Sequence, residues 1–374
     1  MRNPRRGALV AVVSLSMMLV AACGSSSKTA SSGDSNTPAA TSTSGASTSA
    51  PSTTAANPST GANSAMPTGP AKDVTLMLNW YPYGEHAPIY YGLKTGIFTK
   101  HGINLKIEAG KGSGPVAQAV GQKQVDFGWV DTPNVLSSVA AGVPIKSVGV
   151  FYQSSCAAIQ FYSSKNVKKP ADLKGMKVAE TPGDAFTTAF PAFLKANGMS
   201  INDVHIVNVT GAAKMSSVIS GQADALLGFI DDQGPTIQDK TGKAMSYLRF
   251  ADFGLPYEGT GLVANDATIK SDPALVTQMM QAISESFTAA EANSSAAVDS
   301  MSGASANLPS TAVLTEQWKR AQTCMSTDNT KSNPPGADSQ ADWQKTVQTF
   351  EDLGQLKSGS QVSDFWDSSF APKS

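Results

Sequence analysis

The sequence has 374 residues, a formal net charge of −1 at pH 7 and a charged fraction of 15%. A near-neutral chain lacks the strongly basic surface that nucleic-acid binding favours, so that class of protein is excluded. The part of the chain after residue 72 is long enough to form two lobes of ordinary size.

Residues 1–22 have the pattern of a secretory signal peptide. Arginines precede an apolar run over residues 8–20, which is too short for a comfortable membrane span and ends in small residues. The ending Leu19-Val20-Ala21-Ala22-Cys23 resembles a bacterial lipoprotein cleavage box. The resemblance implies that Cys23 becomes the acylated N-terminus, and the alternative is an ordinary cleaved signal with an incidental cysteine.

The segment after the cysteine, residues 24–72, consists mainly of Ser, Thr, Ala, Gly, Pro and Asn. Such a segment buries too little apolar surface to offset the entropy cost of ordering. We therefore expect residues 23–72 to be an acylated, disordered tether. The chain is predicted to be exported and lipid-anchored on the outer face of the cell membrane.

Short β-rich runs then alternate with helical patterns, which predicts α/β lobes with mainly parallel sheets. From Asp272 onward the pattern is mostly helical. The predicted strands are Val74–Asn79, Asn104–Glu108, Val125–Val130, Ile145–Phe151, Ala157–Tyr162, Lys177–Glu180, Val204–Val209, Ala225–Phe229 and Thr260–Val263.

A weak internal repeat links residues 79–131 to residues 180–231. Each part runs from a strand through a Gly-acid turn, a helix and a Gly-Gln turn to a second strand and an acid. The matching acids are Glu85 and Asp184 in the turns, and Asp131 and Asp231 at the ends. Because ligands gather at the carboxyl ends of parallel strands, two such lobes predict a shared cleft that closes by a hinge motion.

The opening of the folded part carries a family resemblance. The run from Leu78 to Gly92, which begins Leu-Asn-Trp-Tyr-Pro-Tyr-Gly-Glu-His-Ala-Pro, resembles the substrate-binding proteins of ABC transporters. The matching superfamily binds nitrate, sulfonate, taurine and thiamine-pyrimidine precursors. Later landmarks of that superfamily match Asp126-Phe127-Gly128 and Gly221-Gln222-Ala223-Asp224-Ala225.

This resemblance implies a two-lobed α/β fold, the type II periplasmic-binding-protein fold, with a two-stranded hinge and helical C-terminal additions. It also implies a return to the first lobe near Tyr257–Val263. The predicted domains are residues 73–162 with 257–374 for lobe I, and residues 163–256 for lobe II. The implied partners are a small-molecule solute and an ABC permease with its ATPase, and we expect a monomer.

Aromatic residues are candidate ligand contacts because their faces stack on flat rings and attract cations. Three of them crowd one Pro/Gly turn, and the alternative for each is a place in the core. The aromatic candidates are Trp80, Tyr81, Tyr83, Trp129, Tyr152, Phe186, Phe229 and Tyr257.

The acids of the repeat are the polar candidates, together with His86. Glu85 and Asp184 follow glycines at helix starts, where capping alone would justify an acid. If they face the cleft, they accept hydrogen bonds from an amino group, which favours an aminopyrimidine or cationic solute. Asp131 and Asp231 are the other predicted contacts.

The loop Gly110–Pro115 supports a different solute. Free backbone N–H groups there, with Ser113, would hold an oxyanion such as nitrate or an organosulfonate. The alternative is a tight turn with Pro115 at the first helical position. A nitrate-, sulfonate- or taurine-type oxyanion receptor is therefore the second hypothesis.

Signals for catalysis are weak. The three histidines are far apart in the sequence, and neither a metal signature nor a Gly-x-Ser-x-Gly elbow is present. The resembled superfamily includes a pyrimidine synthase with a cysteine cluster, which this chain lacks. We expect a binding protein without enzymatic activity, cofactor or metal. Cys156 and Cys324 either pair as a disulfide or remain two buried thiols.

Overall fold

The computed structural model describes residues 70–373. The predicted signal peptide, the acylation site at Cys23 and nearly all of the tether therefore lie outside the described residues. Within residues 70–373, ten strands form two five-stranded sheets with helices between the strands. No helix in this range has the length and apolar character needed to cross a bilayer.

The strands occur close to the predicted runs, with one addition near residue 247. In chain order they are β1 (Lys72–Met77), β2 (Ile103–Glu108), β3 (Phe127–Asp131), β4 (Ile145–Val150), β5 (Ala157–Tyr162), β6 (Lys177–Glu180), β7 (His205–Asn208), β8 (Ala225–Phe229), β9 (Met245–Arg249) and β10 (Thr260–Asn265).

The helices connect these strands and then form the C-terminal additions. They are α1 (Ala87–Lys94), α2 (Ile97–Lys100), α3 (Ser113–Gly121), α4 (Thr132–Ala140), α5 (Phe186–Ala196), α6 (Gly211–Ile219), α7 (Gln233–Thr241), α8 (Asp266–Ser271), α9 (Pro273–Ala292), α10 (Ser294–Asp299), α11 (Thr311–Gln322), α12 (Gln340–Asp352) and α13 (Val362–Phe365). Short 3-10 turns lie at Gly84–His86, Ser163–Lys165, Pro170–Leu173, Ile201–Asp203, Phe250–Phe253 and Ser368–Phe370.

The two sheets have the same topology. The first has the order β2-β1-β3-β10-β4 and the second β7-β6-β8-β5-β9. In each sheet the fourth strand is antiparallel to both neighbours, and the first three strands are parallel. The correspondence confirms the predicted α/β fold and the internal repeat. We call each sheet with the helices packed on it the first and the second lobe.

Burial explains which strands are central. Every residue of β3 and of β8 is buried, as expected for central strands covered by helices on both faces. β2 lies at an edge and begins with alternating buried and exposed residues. One face of the first sheet is covered by α3, whose Val116 and Val120 pack in a cluster with Val263 of β10.

Two segments connect the lobes, from β4 to β5 and from β9 to β10. They are hydrogen-bonded to each other, because Ser155 N donates to Tyr257 O and Gly259 N donates to Tyr152 O, both at 3.1 Å. This pair forms the two-stranded hinge that the resemblance implied. Arg249 at the end of β9 donates to the carbonyl oxygens of residues 154 and 155 and so supports the same hinge.

The structure differs from the sequence analysis at two strands. β5 pairs with β8 and β9 in the second sheet, whereas residues 73–162 were assigned to lobe I. Periodicity identifies a strand but not its partners, and β5 lies beyond the first crossing. β9 was not predicted, because its short sequence Met-Ser-Tyr-Leu-Arg gives little period-two contrast. The remaining domain boundaries stay a prediction.

The first crossing segment carries a covalent link. Cys156 and Cys324 form a disulfide with Cα atoms 5.8 Å apart, and both residues are buried. Of the two alternatives for these cysteines, the structure therefore has the disulfide. It joins the hinge to the chain just after α11, across a sequence separation of 168 residues.

Replacing both cysteines, Cys156→Ser with Cys324→Ser, should lower the free energy of unfolding by about 2–4 kcal/mol, because the unfolded chain regains the entropy of a long loop. Denaturant unfolding of the oxidised protein and the variant measures this difference. Cys23→Ser is the matched control, since it removes the third cysteine and leaves the disulfide intact. Equal unfolding free energies for all three proteins would contradict the prediction.

Candidate functional site

The strand-to-helix corners of the two lobes meet at a common seam. Gly114 N at the start of α3 donates to Gly183 O in the β6–α5 corner at 3.1 Å. Tyr81 in the β1–α1 corner donates its hydroxyl proton to Asp232 Oδ1 at 2.9 Å, just before α7. These bonds cross from one lobe to the other, so the structure is a closed arrangement of the two lobes.

A small cavity of about 20 Å³ lies in this seam. That volume is close to what one water molecule needs. Five of the predicted contacts line it, namely Trp80, Ser113, Asp184, Phe186 and Phe229. Four other lining residues were not among the predicted contacts, namely Asn79, Lys214, Asp232 and Gln233.

Lys214 on α6 is the main residue that sequence reasoning missed. Its Nζ lies 2.6 Å from Asp184 Oδ2 and also donates to Leu227 O at 3.2 Å. The same ammonium lies 5.0 Å from the centre of the Trp80 ring and 5.4 Å from the Phe186 ring. A lysine in a helix normally indicates a solvent-exposed face, so the sequence alone offered no reason to place Lys214 in the site. The one sequence feature that could have identified it is its position in the first turn of a helix that follows a strand-to-helix corner.

Glu85 is buried and bonded in the turn before α1. Its carboxylate accepts from Trp129 Nε1 at 2.7 Å, from Asn79 Nδ2 at 3.3 Å and from the Tyr83 hydroxyl. Tyr152 donates its hydroxyl proton to the Glu85 carbonyl oxygen. Burial raises the pKa of Glu85 to about 7, although its hydrogen bonds oppose that shift.

His86 supports the turn instead of lining the cavity. Its Nε2 lies 2.9 Å from Asn79 Oδ1, and its Nδ1 accepts from Tyr83 N at 3.4 Å. Burial lowers the pKa of His86 to about 3, so the ring is neutral with its proton on Nε2. Both nitrogens are thus engaged by protein atoms. Within residues 70–373, no three His, Cys, Asp or Glu side chains are grouped to hold a metal ion.

Further carboxyl groups surround the seam. Burial raises the pKa of Asp131 and of Asp231 well above the usual range, and the charge of Glu85 adds to the shift in both cases. Burial also raises the pKa of Asp232 to about 7, against the hydrogen bond from Tyr81. Among the described residues, Asp131 Oδ2 and Asp231 Oδ1 have no hydrogen-bond partner. These oxygens are therefore left without a protein partner.

The other aromatic candidates lie behind the cavity wall. Trp129 and Tyr152 pack with Phe151 and Phe287 in the main hydrophobic core. Tyr257 packs edge-on against Phe350 of the C-terminal additions. For these three aromatics the structure gives the core placement that was the alternative to ligand contact, and Tyr83 likewise packs under the turn against His86.

The Gly-rich loop before α3 is already engaged by protein atoms. Gly112 N donates to Asn79 O at 2.9 Å, and Gly114 N makes the bond across the seam described above. Ser113 Oγ accepts from Asp131 N at 3.1 Å. Gly112 has a φ of +131°, and a Cβ there would lie 2.7 Å from a carbonyl oxygen of the second lobe. In this arrangement the loop brings the lobes together and leaves little for an oxyanion.

A known family matches a part of the chain that includes residues from both lobes. Residues 84–297 match the family described as NMT1/THI5 like. This chain belongs to the NMT1/THI5-like family. The match begins at the turn that carries Glu85 and continues into α10.

Three relatives share 24–28% of the aligned residues with this chain. The formylaminopyrimidine-binding protein of Halalkalibacterium halodurans is 26% identical over 199 residues, which cover 53% of this chain and 60% of that protein. A Haemophilus influenzae protein named for thiamine biosynthesis is 28% identical over 224 residues, 59% of this chain and 70% of that protein. A 4-amino-5-hydroxymethyl-2-methylpyrimidine phosphate synthase of Saccharomyces cerevisiae is 24% identical over 223 residues, which cover 56% of this chain and 64% of that protein.

Solved structures show the same fold. The periplasmic aliphatic sulphonate-binding protein SsuA of Escherichia coli superposes with a TM-score of 0.60 at 15% identity, over 79% of this chain and 92% of SsuA. The periplasmic nitrate-binding protein NrtA of Synechocystis superposes with a TM-score of 0.62 at 12% identity, over 80% of this chain and 87% of NrtA. The periplasmic-binding-protein fold implied by the sequence is therefore confirmed.

The buried ion pair at the cavity gives a stability prediction. Lys214→Met should lower the free energy of unfolding by about 3–5 kcal/mol, because Asp184 is left buried without its partner. Lys165→Met is the matched control, since it breaks an exposed pair with Asp224 and should cost at most about 1 kcal/mol. Denaturant unfolding at pH 7 measures both. A loss below about 1 kcal/mol for Lys214→Met would show that the Lys214–Asp184 pair contributes little to the free energy of unfolding.

The raised pKa of Glu85 should make the free energy of unfolding depend on pH. The folded protein holds the Glu85 proton up to about pH 7, whereas the unfolded chain releases it near 4.5. The folded state therefore binds more protons between these values, and the free energy of unfolding falls as pH rises through this window. Glu85→Gln removes that dependence.

Relative to Glu85→Gln, the wild type should lose about 2–3 kcal/mol between pH 4.5 and pH 8. Unfolding curves of both proteins at the two pH values give the double difference. The contribution of His86 is common to both proteins and cancels in it. Loss of the Glu85 charge also lowers the raised pKa of Asp131 and of Asp231, which changes the double difference in the same direction. A double difference near zero, or one in which the wild type gains stability, contradicts the assigned shift.

Proposed function

We propose that this protein is the solute-binding lipoprotein of an ABC importer and that it captures a thiamine pyrimidine precursor or a similar amino-heterocycle. It is anchored through acylated Cys23 on the outer face of the cell membrane and acts as a monomer. It delivers the solute to a permease that is driven by an ATPase. The observation that carries the choice of solute is the set of buried carboxyl groups at the seam between the lobes.

Carboxyl groups favour a solute with N–H donors over an anion. Five of them are buried at or beside the seam, namely Glu85, Asp131, Asp184, Asp231 and Asp232. Lys214 balances one of these charges through its pair with Asp184. An amino or amidine-like edge satisfies acceptor oxygens that are expensive to bury unpaired, and a carboxyl group keeps such an oxygen whether or not it is protonated. An oxyanion would have to compete with Asp184 for the Lys214 ammonium. The nitrate and sulfonate hypothesis is the weaker one for this reason.

The rings at the cavity suit a flat, electron-poor solute. Trp80 from the first lobe and Phe186 from the second lobe both have the Lys214 ammonium over their faces. The space between these rings therefore accommodates positive charge. A protonated or amino-substituted heterocycle has the shape to stack there and the charge to replace part of this interaction.

Entry of the solute requires the lobes to separate. The closed cavity is close to the size of one water molecule, so a six-membered ring does not fit without opening at the hinge. The bonds from Gly114 to Gly183 and from Tyr81 to Asp232 are among those that opening breaks. This is the hinge closure expected of a receptor that encloses its ligand.

Binding is favoured over synthesis, although relatives of both kinds exist. The yeast relative is named as a synthase, and the Halalkalibacterium relative is named as a binding protein. The predicted export signal places this chain outside the cytoplasm. The sequence also lacks a cysteine cluster, because its three cysteines are residues 23, 156 and 324.

Isothermal titration calorimetry should show binding of formylaminopyrimidine or hydroxymethylpyrimidine and no binding of nitrate or taurine at equal concentrations. The reason is that the carboxyl groups supply acceptor oxygens for the amino edge, whereas an oxyanion would compete with Asp184 for the Lys214 ammonium. Tight binding of taurine or nitrate, without heat from either pyrimidine, would replace this proposal with the oxyanion hypothesis.

In the same titration, Trp80→Ala should weaken pyrimidine binding by about 1–3 kcal/mol, since Trp80 supplies a stacking face. Trp366→Ala is the control, because Trp366 stacks on Trp343 in the C-terminal additions and does not line the cavity. The control should lose stability and keep its affinity. Equal affinity losses for the two variants would remove Trp80 from the site.

A further inference from the structure

Helix α11 lies beyond the range matched by the family and contacts both lobes. It packs against the turn Gly84–His86 and α10 on one side and against α7 of the second lobe on the other. Its place at the seam raises the question of which lobe it moves with when the cleft opens.

The contact of α11 with the first lobe is tight. A Cβ at Gly84 would lie 2.4 Å from Gln317 Cβ, 2.6 Å from Trp318 N and 2.8 Å from Leu314 O. Only a glycine allows the turn to approach the helix this closely. The disulfide from Cys324 to Cys156 also fixes the chain just after α11 to the hinge.

The contact of α11 with the second lobe is looser. A groove of about 390 Å³ separates α11 from α7, lined by Pro235 and Gln238 on α7 and by Val313 and Glu316 on α11. One contact beside this groove is the Arg320 guanidinium over the Tyr247 ring of β9, at 5.0 Å. Such a face can separate with less loss of packing than the face against Gly84.

One buried side chain bridges the two lobes from α11. Gln317 has no exposed surface, and its Oε1 accepts from Gly84 N at 3.0 Å. Its Nε2 donates to Asp232 O at 2.9 Å, with Thr236 Oγ1 at 3.4 Å as a second acceptor. A single amide therefore joins the turn before Glu85 to the residue that binds the Tyr81 hydroxyl.

We propose that α11 is a latch that moves with the first lobe and that Gln317 holds the second lobe in the closed position through the Asp232 carbonyl. The proposal rests on the proposed function in that solute capture uses this closure. Opening breaks the bond to Asp232 and keeps the bond to Gly84. Gln317 is thus a positioning residue, which acts on the site through Gly84 and Asp232.

Two substitutions separate the halves of this bridge. Gln317→Glu keeps an acceptor for Gly84 N and loses the donor to Asp232 O. Gln317→Met keeps the length of the side chain and loses both bonds. Gln344→Glu on α12 is the matched control, because that glutamine is exposed and outside the seam.

Closure is measured without any solute, by hydrogen exchange of the Gly114 amide, which donates across the seam to Gly183 O. Mass spectrometry of the whole protein, with fragmentation to residue resolution, follows this amide. Both Gln317 variants lose the hydrogen bond to Asp232 O, so the Gly114 amide should exchange about fivefold faster or more in both. The exchange rate of this amide should be unchanged in the control. Amides of the central strand β3 report global stability in the same experiment.

Wild-type exchange at Gly114 in both variants would overturn the latch. So would an equal acceleration at Gly114 and throughout β3, since that is a loss of stability alone. Faster exchange at Gly114 without faster exchange in β3 supports the latch. This result supports the latch even if neither pyrimidine binds in calorimetry, in which case only the proposed solute is wrong. Pyrimidine binding with unchanged exchange keeps the proposed function and removes the latch.

Discussion

The removal of carboxyl groups from water at the seam between the lobes is the constraint on which the site depends. Each buried acid must be protonated, paired or hydrogen-bonded, because an isolated buried charge is too costly. Glu85 is satisfied by Trp129, Asn79 and Tyr83, and Asp184 by Lys214. Burial raises the pKa of Glu85 to about 7 and that of Asp131 and Asp231 well above the usual range, and the two aspartates each keep an oxygen unpartnered among the described residues. Under the proposed function, a donor-rich solute completes this balance.

The repeated topology explains why the acids meet. Both sheets end their parallel strands at the same seam, so each strand-to-helix corner of one lobe faces a corner of the other. The fourth, antiparallel strand of each sheet, β10 or β5, adjoins a crossing segment and therefore carries the hinge. Under the proposed function, separation and closure of the lobes would change the seam and leave each sheet intact. The fold would then confine the motion to the place where the solute is proposed to bind.

The C-terminal additions link this motion to the rest of the chain. α11 packs on the first lobe, is fixed near the hinge by the disulfide, and meets the second lobe through Gln317. The seam is therefore closed by bonds within the repeat and by a helix outside it. The family match ends before α11, so this helix lies outside the part of the chain that the family model matches.

The sequence by itself determined the alternating strands and helices, the repeat, the acids at the corners and the family, because these depend on local periodicity and short motifs. It also selected Trp80, Ser113, Asp184, Phe186 and Phe229, which line the cavity. Only the tertiary structure decided that β5 belongs to the second sheet, that His86 and Trp129 support the site from behind, and that Lys214 and Gln317 enter the seam. Those outcomes depend on which surfaces pack together across long sequence distances, and no local pattern encodes that pairing.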